Sequence, residues 1–396
     1  MKGLHFGAGN IGRGFVGKIL LEAGINLIFV DANKNLVNKL NHYKKYVVQE
    51  FNMKKMNARK YVLKNIKAMH IDDINLIESI NHTELITTSV GANNLKFIAI
   101  IIAKAILKKV KKKNKKILNI IACENIIRAS TKLKNNLLDL LGKKYFEFVN
   151  KYLCFIDCTI DKIIPYFFQR KNNQLLIKTE SFGEWIIDKK QFKESFPRIK
   201  GIKTSNLLDI FLERKLLILN SGHAVLAYFG LLLGYDNVKE AIKNLVIQRL
   251  VFSVMKENSN ILIKKFGFSK NKQDQYIKDV LFRFKNPFLN DNLKRIARNP
   301  IQKLGLNNRL LMPILEAKKY GLPYSNLVKT VSIVLHYENS KDEESIIMTE
   351  FVKKFGIKLF FEKVIGVNLE YELMNSIIDK YKIYKNYINQ KNNIKE

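Results

Sequence analysis

The stretch "LHFGA", Leu4–Ala8, runs an apolar segment directly into Gly7-x-Gly9-x-x-Gly12, and apolar residues then recur at helical spacing from Ile11 to Gly24. A strand that turns on glycines into a helix has few ways to bury both elements. It must cross back over a sheet to a parallel neighbour. The same alternation repeats with strand-like runs at Asn26–Ala32, Glu84–Gly91 and Lys116–Asn125, each followed by a helix-like stretch. This predicts an α/β domain, a doubly wound, mostly parallel sheet covered on both faces, of the Rossmann type. Beyond about Phe196 the texture becomes helical almost throughout: 207–233, 238–266, 272–284, 310–320, 327–338, 346–355 and 371–384. Proline, glycine and polar residues in "FPRIKGIKTS" mark the change. Residues 1–196 are therefore expected to form the first domain and 197–396 a mainly α-helical second one. The polar C-terminal segment 385–396 is expected to fray.

The glycine spacing has a physical reading. Gly7 permits the tight turn, Gly9 lets the backbone approach a pyrophosphate, and Gly12 allows close helix–strand packing. Helix N–H groups then face the anion. Asp31 closes the second strand 19 residues after Gly12. There it would accept hydrogen bonds from an adenosine ribose and repel a 2′-phosphate, so NAD is expected over NADP. The alternative is an ordinary glycine turn with a solvated Asp31. Contacts to the cofactor are expected along the strand and turn through Gly3, Leu4, His5, Phe6, Gly7, Ala8, Gly9, Asn10, Ile11, Gly12, Arg13 and Gly14. Further contacts are expected at other strand ends, from Thr88, Val90, Gly91 and Asn125. For any one of these four, a turn or cap role is as good a reading.

The chain carries 69 Lys and Arg against 35 Asp and Glu, a net charge of +34. Such a balance can mark a nucleic-acid partner. Its lysines are scattered, however, and the densest run, Lys108–Lys116, has no interleaved aromatics for base stacking. Compositional drift toward Lys, Asn and Ile explains the excess better, so no nucleic-acid partner is expected. A positive field would still favour an anionic substrate. The longest apolar run, Phe97–Leu107, is too short to cross a bilayer. With the glycine motif beginning at Gly7 there is no room for a leader, and a cytoplasmic protein is expected. Three cysteines and six histidines show no zinc-site spacing, so no metal is expected.

One helical segment, "ERKLLILNSGHAVLAYFG", is apolar yet contains Lys215, Asn220 and His223. At about 100° per residue these three fall within one broad face. A lysine in a dry pocket can lose its proton and act as a base. A snorkelling lysine and a satisfied core histidine would produce the same pattern.

The spacing Lys215-x4-Asn220-x2-His223 resembles the signature of the polyol-specific long-chain dehydrogenases, the mannitol dehydrogenase family. Six further segments are similar to bacterial members in the same order: "GAGNIGRGFVGKILLEAG", "NIIACENIIR", "FIDCTIDKIIP", "ESFGEWIIDK", "RIARNPIQKL" and "KYGLPYSNL". The resemblance implies that Lys215 is the general base, Asn220 the oxyanion donor and His223 a substrate ligand. It further implies that Asp161 binds the polyol, that Asn125 lies beside substrate and nicotinamide, and that Arg295 and Lys303 hold the substrate's far end. Where relatives tend to have arginine after that aspartate, this chain has Lys162, which keeps the charge without the bidentate fork. The implied reaction is an NAD-dependent, metal-independent interconversion of D-mannitol 1-phosphate and D-fructose 6-phosphate by a monomer. Action on an unphosphorylated polyol or a hexuronate is the alternative.

Overall fold

The computed structural model describes residues 1–164, 175–194, 196–288 and 291–393, the side chains of 391–393 excepted. Its contacts divide the chain into two units, Met1–Leu212 and Glu213–Glu396.

The first unit is built on a six-stranded, all-parallel sheet. Its strands are β1 (Lys2–Phe6), β2 (Asn26–Asp31), β5 (Lys67–His70), β6 (Leu85–Thr88), β7 (Leu118–Ala122) and β8 (Leu153–Phe155). Their order is β5-β2-β1-β6-β7-β8, so the winding reverses direction between β1 and β6. That reversal opens a crevice beyond the carboxyl ends of those two strands. Strand side chains alternate between two cores. Leu4, Phe6, Ile86 and Ile120 face the one that includes Ile98 and Ile102 of the Leu95–Lys111 helix. Leu27, Phe29 and Ile121 face the other, which includes Tyr46 and the fully buried Trp185.

Strict alternation of strand and helix does not hold throughout. β3 (Lys45–Asn52) and β4 (Asn57–Lys64) form an antiparallel hairpin, extended by β10 (Leu176–Glu180). β9 (Cys158–Asp161), β11 (Glu184–Asp188) and β12 (Ile202–Ser205) form a third sheet. The stretch 196–205 thus closes the first unit through the parallel pairing of β12 with β11.

The second unit is helical. The expected helix over 238–266 is broken: Val238–Ala241 stops, and Asn244 caps Leu245–Phe266 by accepting from the Val246 and Ile247 N–H groups at 2.8 and 3.2 Å. An interior cap of this kind resets the helix because Asn competes for backbone donors. The helix expected over 346–355 spans Glu343–Phe360, with Gly356 non-helical at φ 82°. Two short helices were absent from the apolar periodicity, Leu293–Ala297 and Pro300–Leu304. The segment expected to fray is helical to Asn393. One helical run, Leu208–Leu232, is long and apolar enough to cross a membrane, but 72% of its apolar window is buried.

Candidate active site

Around the turn after β1, each glycine is required for a different reason. Gly7 has φ +96°, and a Cβ there would meet the Ser89 carbonyl oxygen at 2.5 Å. A Cβ on Gly12 would sit 2.0 Å from the Gly7 carbonyl oxygen and 2.5 Å from His5 Nε2. Gly14 packs on Ile177 and Gly3 on Ile25 and Leu27. Gly9 is different: it is exposed, and a Cβ would meet nothing within 4 Å. Among the described residues, no protein atom crowds Gly9, so the backbone there is open to solvent.

The turn is held by a closed set of hydrogen bonds. The Gly7 N–H donates to the Val30 carbonyl and the Ser89 N–H to the Phe6 carbonyl, both at 2.7 Å. The Ser89 hydroxyl donates to the Gly7 carbonyl at 3.1 Å. His5, fully buried, places Nε2 2.9 Å from that hydroxyl and Nδ1 2.7 Å from Thr87 Oγ1. Because the Ser89 proton points at Gly7, the His5 Nε2–H donates to Ser89, and Nδ1 of the neutral ring accepts from Thr87. Burial pulls the His5 pKa down to about 3, opposed by its hydrogen bond to the Gly7 backbone.

Asp31 ends β2 with Oδ2 accepting from the Ala8 N–H at 2.6 Å and Oδ1 from the Asn33 N–H at 2.8 Å. A carboxylate has about four lone-pair sites, so these two bonds leave acceptor capacity at Asp31. Arg13, among the expected cofactor contacts, is 4% exposed, and its Nε donates to the Ala8 carbonyl at 2.5 Å, bracing the turn from within. Burial lowers its pKa to about 10, against the favourable fields of Tyr46 and Asp31. Leu4, His5 and Phe6 likewise turn their side chains into the cores.

At the end of β6, Glu124 gathers three donors. Its carboxylate accepts from the Thr88 hydroxyl at 2.7 Å, the Val90 N–H at 2.9 Å and the Gly91 N–H at 2.8 Å. Thr88, Val90 and Gly91 are thereby tied to the end of β7, next to the exposed Asn125. Asp161 is 3% exposed in β9, opposite Glu184. Lys162 is sequestered over Phe15, its Nζ donating to the Glu180 carbonyl at 2.6 Å and lying 3.4 Å from Glu50 Oε1.

In the second unit, the run Lys215–Gly230 is buried except at three residues, Lys215, Asn220 and His223. These three, the polar residues that the sequence puts within one broad face, are half-buried. Lys215–Asn220 is a π-helical turn leading into the Ser221–Leu232 helix. A π turn holds one more residue than an α turn. Asn220 therefore returns closer to the side of Lys215 than the roughly 140° that 100° per residue predicts. Such a turn loosens backbone pairing, and Asn258 of the Leu245–Phe266 helix compensates. Fully buried, it donates to the Leu217 carbonyl at 2.6 Å and to Ser221 Oγ at 3.1 Å. Gly222 lets the Met255 side chain press against the same helix, where a Cβ would lie 2.0 Å from Met255 Cε.

His223 stacks on Phe284 with ring centroids 5.1 Å apart. Burial lowers its pKa to about 4; Asp291 opposes that shift, while Arg295, Arg309 and Arg283 reinforce it. The guanidinium of Arg295 forks onto Asp291, Nε donating to Oδ1 at 2.7 Å and Nη2 to Oδ2. Lys303 is 8% exposed, 6.0 Å from the Tyr228 ring centroid. Burial and repulsion from Arg309 bring its pKa to about 7, despite Asp342 and Glu344. Among the described residues, no group of three or more His, Cys, Asp or Glu is arranged to hold a metal ion.

Residues 1–201 match the mannitol dehydrogenase Rossmann domain and residues 207–356 the mannitol dehydrogenase C-terminal domain. The chain belongs to the mannitol dehydrogenase family. Within it, the chain is 43% identical over 384 residues to a mannitol-1-phosphate 5-dehydrogenase of Buchnera aphidicola subsp. Schizaphis graminum, covering 96% of this chain and 98% of that one. Another, from Buchnera aphidicola subsp. Acyrthosiphon pisum (strain Tuc7), is 43% identical over 389 residues, covering 98% and 100%. In fold, the chain is similar to the Pseudomonas fluorescens mannitol 2-dehydrogenase ternary complex with NAD and D-mannitol, with a TM-score of 0.81 and 14% identity, covering 100% and 94%. It is also similar to a D-sorbitol dehydrogenase, with a TM-score of 0.77 and 16% identity, covering 97% and 93%.

Several residues that shape the site were not singled out from sequence. Ser89 and Asn258 act through other groups. The signal for Asn258 was available as an amide on the apolar stripe Ile247, Val251, Val254, Ile261. Arg309 gave no such signal, since an arginine in "GLNNRLLMP" reads as a solvated loop cation.

Proposed function

We propose that this chain is an NAD-dependent oxidoreductase that interconverts D-mannitol 1-phosphate and D-fructose 6-phosphate without a metal. The supporting observation is the end-to-end 43% identity to proteins named mannitol-1-phosphate 5-dehydrogenase, on a fold in which Lys215, Asn220 and His223 are the half-buried residues of the otherwise buried run from Lys215 to Gly230. Residues 1–196 carry the cofactor and residues 197–396 the catalytic groups. Gly9 offers its backbone to the pyrophosphate, and the free lone pairs of Asp31 accept the ribose hydroxyls. Thr88, Val90, Gly91 and Asn125 border the same crevice. NAD, when bound, accepts or returns the hydride.

The chain's own groups manage the proton and the oxygen. Lys215 takes the hydroxyl proton as the carbon is oxidised and returns it on reduction. Asn220 donates an N–H to the oxygen as its charge changes. His223, kept neutral by burial, binds a neighbouring hydroxyl, Asp161 accepts from the polyol, and Arg295 and Lys303 lie toward its far end. The balance is mannitol 1-phosphate plus NAD⁺ giving fructose 6-phosphate, NADH and one proton. We place the enzyme in the cytoplasm as a monomer.

The test is NADH consumption with fructose 6-phosphate, free fructose and a hexuronate. Preference for the phosphate ester is expected. Equal or faster turnover of free fructose or the hexuronate would move the assignment to an unphosphorylated substrate.

A further inference from the structure

The helical run that carries Lys215 begins at Leu208, inside the first unit. Its start is packed by a small apolar cluster, Leu208 and Leu212 against Ile186 of β11. A guanidinium adds to that attachment. Arg128 Nη2 donates to both carboxylate oxygens of Asp209, in the first turn of the helix, each at 2.6 Å. Its Nη1 reaches Asp157 Oδ2 at 3.2 Å and Asp188 Oδ2, at the end of β11, at 3.4 Å. One side chain thus joins three carboxylates from three separate segments. Burial works against the charge of Arg128, but its bonds to Asp209 and Asp157 outweigh that and raise its pKa.

Each of these segments leads to a residue of the site. Asp157 is fully buried and stands four residues before Asp161. It also accepts from the Thr131 N–H at 2.9 Å, the Thr131 hydroxyl at 2.5 Å and the Gln191 amide at 3.0 Å, so its place is rigid. Asp209 stands six residues before Lys215, and Arg128 itself three residues after Asn125. The Arg128 backbone is left-handed, φ 52° and ψ 49°, immediately before the Ala129–Leu141 helix. Arginine lacks the short polar side chain that lets Asn or Asp relieve that conformation. Strain of this kind persists only where the surroundings impose it, and here the three carboxylates do.

We propose that Arg128 is a positioning residue: through Asp209 it holds the start of the Lys215 helix on the same anchor as the segments of Asn125 and Asp161. A helix is stiff, and six residues span about 9 Å. A change of tilt at Asp209 is therefore carried to Lys215, where a displacement of about 1 Å can cost about 100-fold in rate. A planar guanidinium can serve three carboxylates at once, which a lysine ammonium does less well. This inference rests on the reading of Lys215 as the base.

Asp209→Asn is the probe of choice. The Asp209 side chain is 65% exposed, whereas truncating Arg128 would strand the buried Asp157 and threaten the fold. The kcat for fructose 6-phosphate reduction should fall by about 10- to 100-fold. NADH affinity should stay within about twofold, and the melting temperature within about 3 °C, as for the loss of one exposed ion pair. Asp209→Glu should recover part of the rate. Arg128→Lys with Asp209→Asn should lose no more than the worse single variant, since both act through one contact. An undiminished kcat in Asp209→Asn would overturn the proposal. So would a kcat loss matched by equal loss of NADH affinity, or additive losses in the double variant. Lys215→Met separates the two readings. Should it keep full turnover, the base assignment falls and the positioning role with it. Should it be inactive while Asp209→Asn runs at the wild-type rate, only the positioning role falls.

Discussion

Around the glycine turn, polar groups are matched within the first unit. His5, Thr87, Ser89 and the Gly7 carbonyl form one chain of hydrogen bonds, and Glu124 takes up the donors after β6. Around the lysine helix the balance is left open. Among the described residues Lys303 and Arg309 form no ion pair with a carboxylate, and Lys215, Asn220 and His223 are half-buried in an otherwise buried run. The first region is shaped by backbone and finished before a ligand arrives. The second is shaped by side chains whose charges the surrounding protein leaves less fully matched. A preorganised backbone site loses binding when its shape changes, whereas an open-charge site loses chemistry or selectivity when a single group is removed.

The sharpest way to separate them is Lys215→Met. If the helix supplies chemistry, kcat should fall by about 10³- to 10⁴-fold, the upper range for a general base. NADH affinity, read by fluorescence titration, should stay within about twofold. A parallel loss of NADH binding would erase the division of labour.

Within the turn, Gly9→Ala and Gly12→Ala should part company. An added methyl at Gly12 collides with the Gly7 carbonyl oxygen. It should lower the melting temperature and raise the KM for NAD by about 100-fold, roughly 2.7 kcal/mol of binding. The same methyl at Gly9 meets no protein atom. It should leave the melting temperature unchanged while raising the KM for NAD by about tenfold. Equal melting losses would remove Gly9 as evidence for a cofactor.

The smallest effect concerns His5. Its folded-state pKa of about 3 lies below the ordinary value of 6.5. The unfolded chain therefore binds the proton first, so the contribution of His5 is complete above pH 6.5 and is lost as pH falls toward 3. Melting temperature followed from pH 7 to 4 should decline less steeply in His5→Gln than in the wild type. Identical slopes would mean the buried ring is not neutral in the native state.

What the sequence disclosed follows the range of the forces involved. Gly7, Gly9, Gly12 and Asp31 are legible because a tight turn and a strand end are local requirements. The trio Lys215, Asn220 and His223 is legible as a spacing, yet its π turn is not, since one extra residue in a buried apolar helix leaves the apolar pattern intact. The β3–β4 hairpin escaped the alternation rule because antiparallel insertions do not alter the strands around them. Arg295 and Lys303 carry the right charge type. Only the fold shows that Asp291 occupies the fork of the former and that the latter is buried over the Tyr228 ring.

Lys215, Asn220 and His223 ride on one continuous helical rod, so their mutual spacing belongs to its backbone. A descendant that adapts to a longer or shorter sugar cannot adjust those three separately. Divergence in substrate must be written in residues that the rod does not carry, while the rod itself is inherited whole.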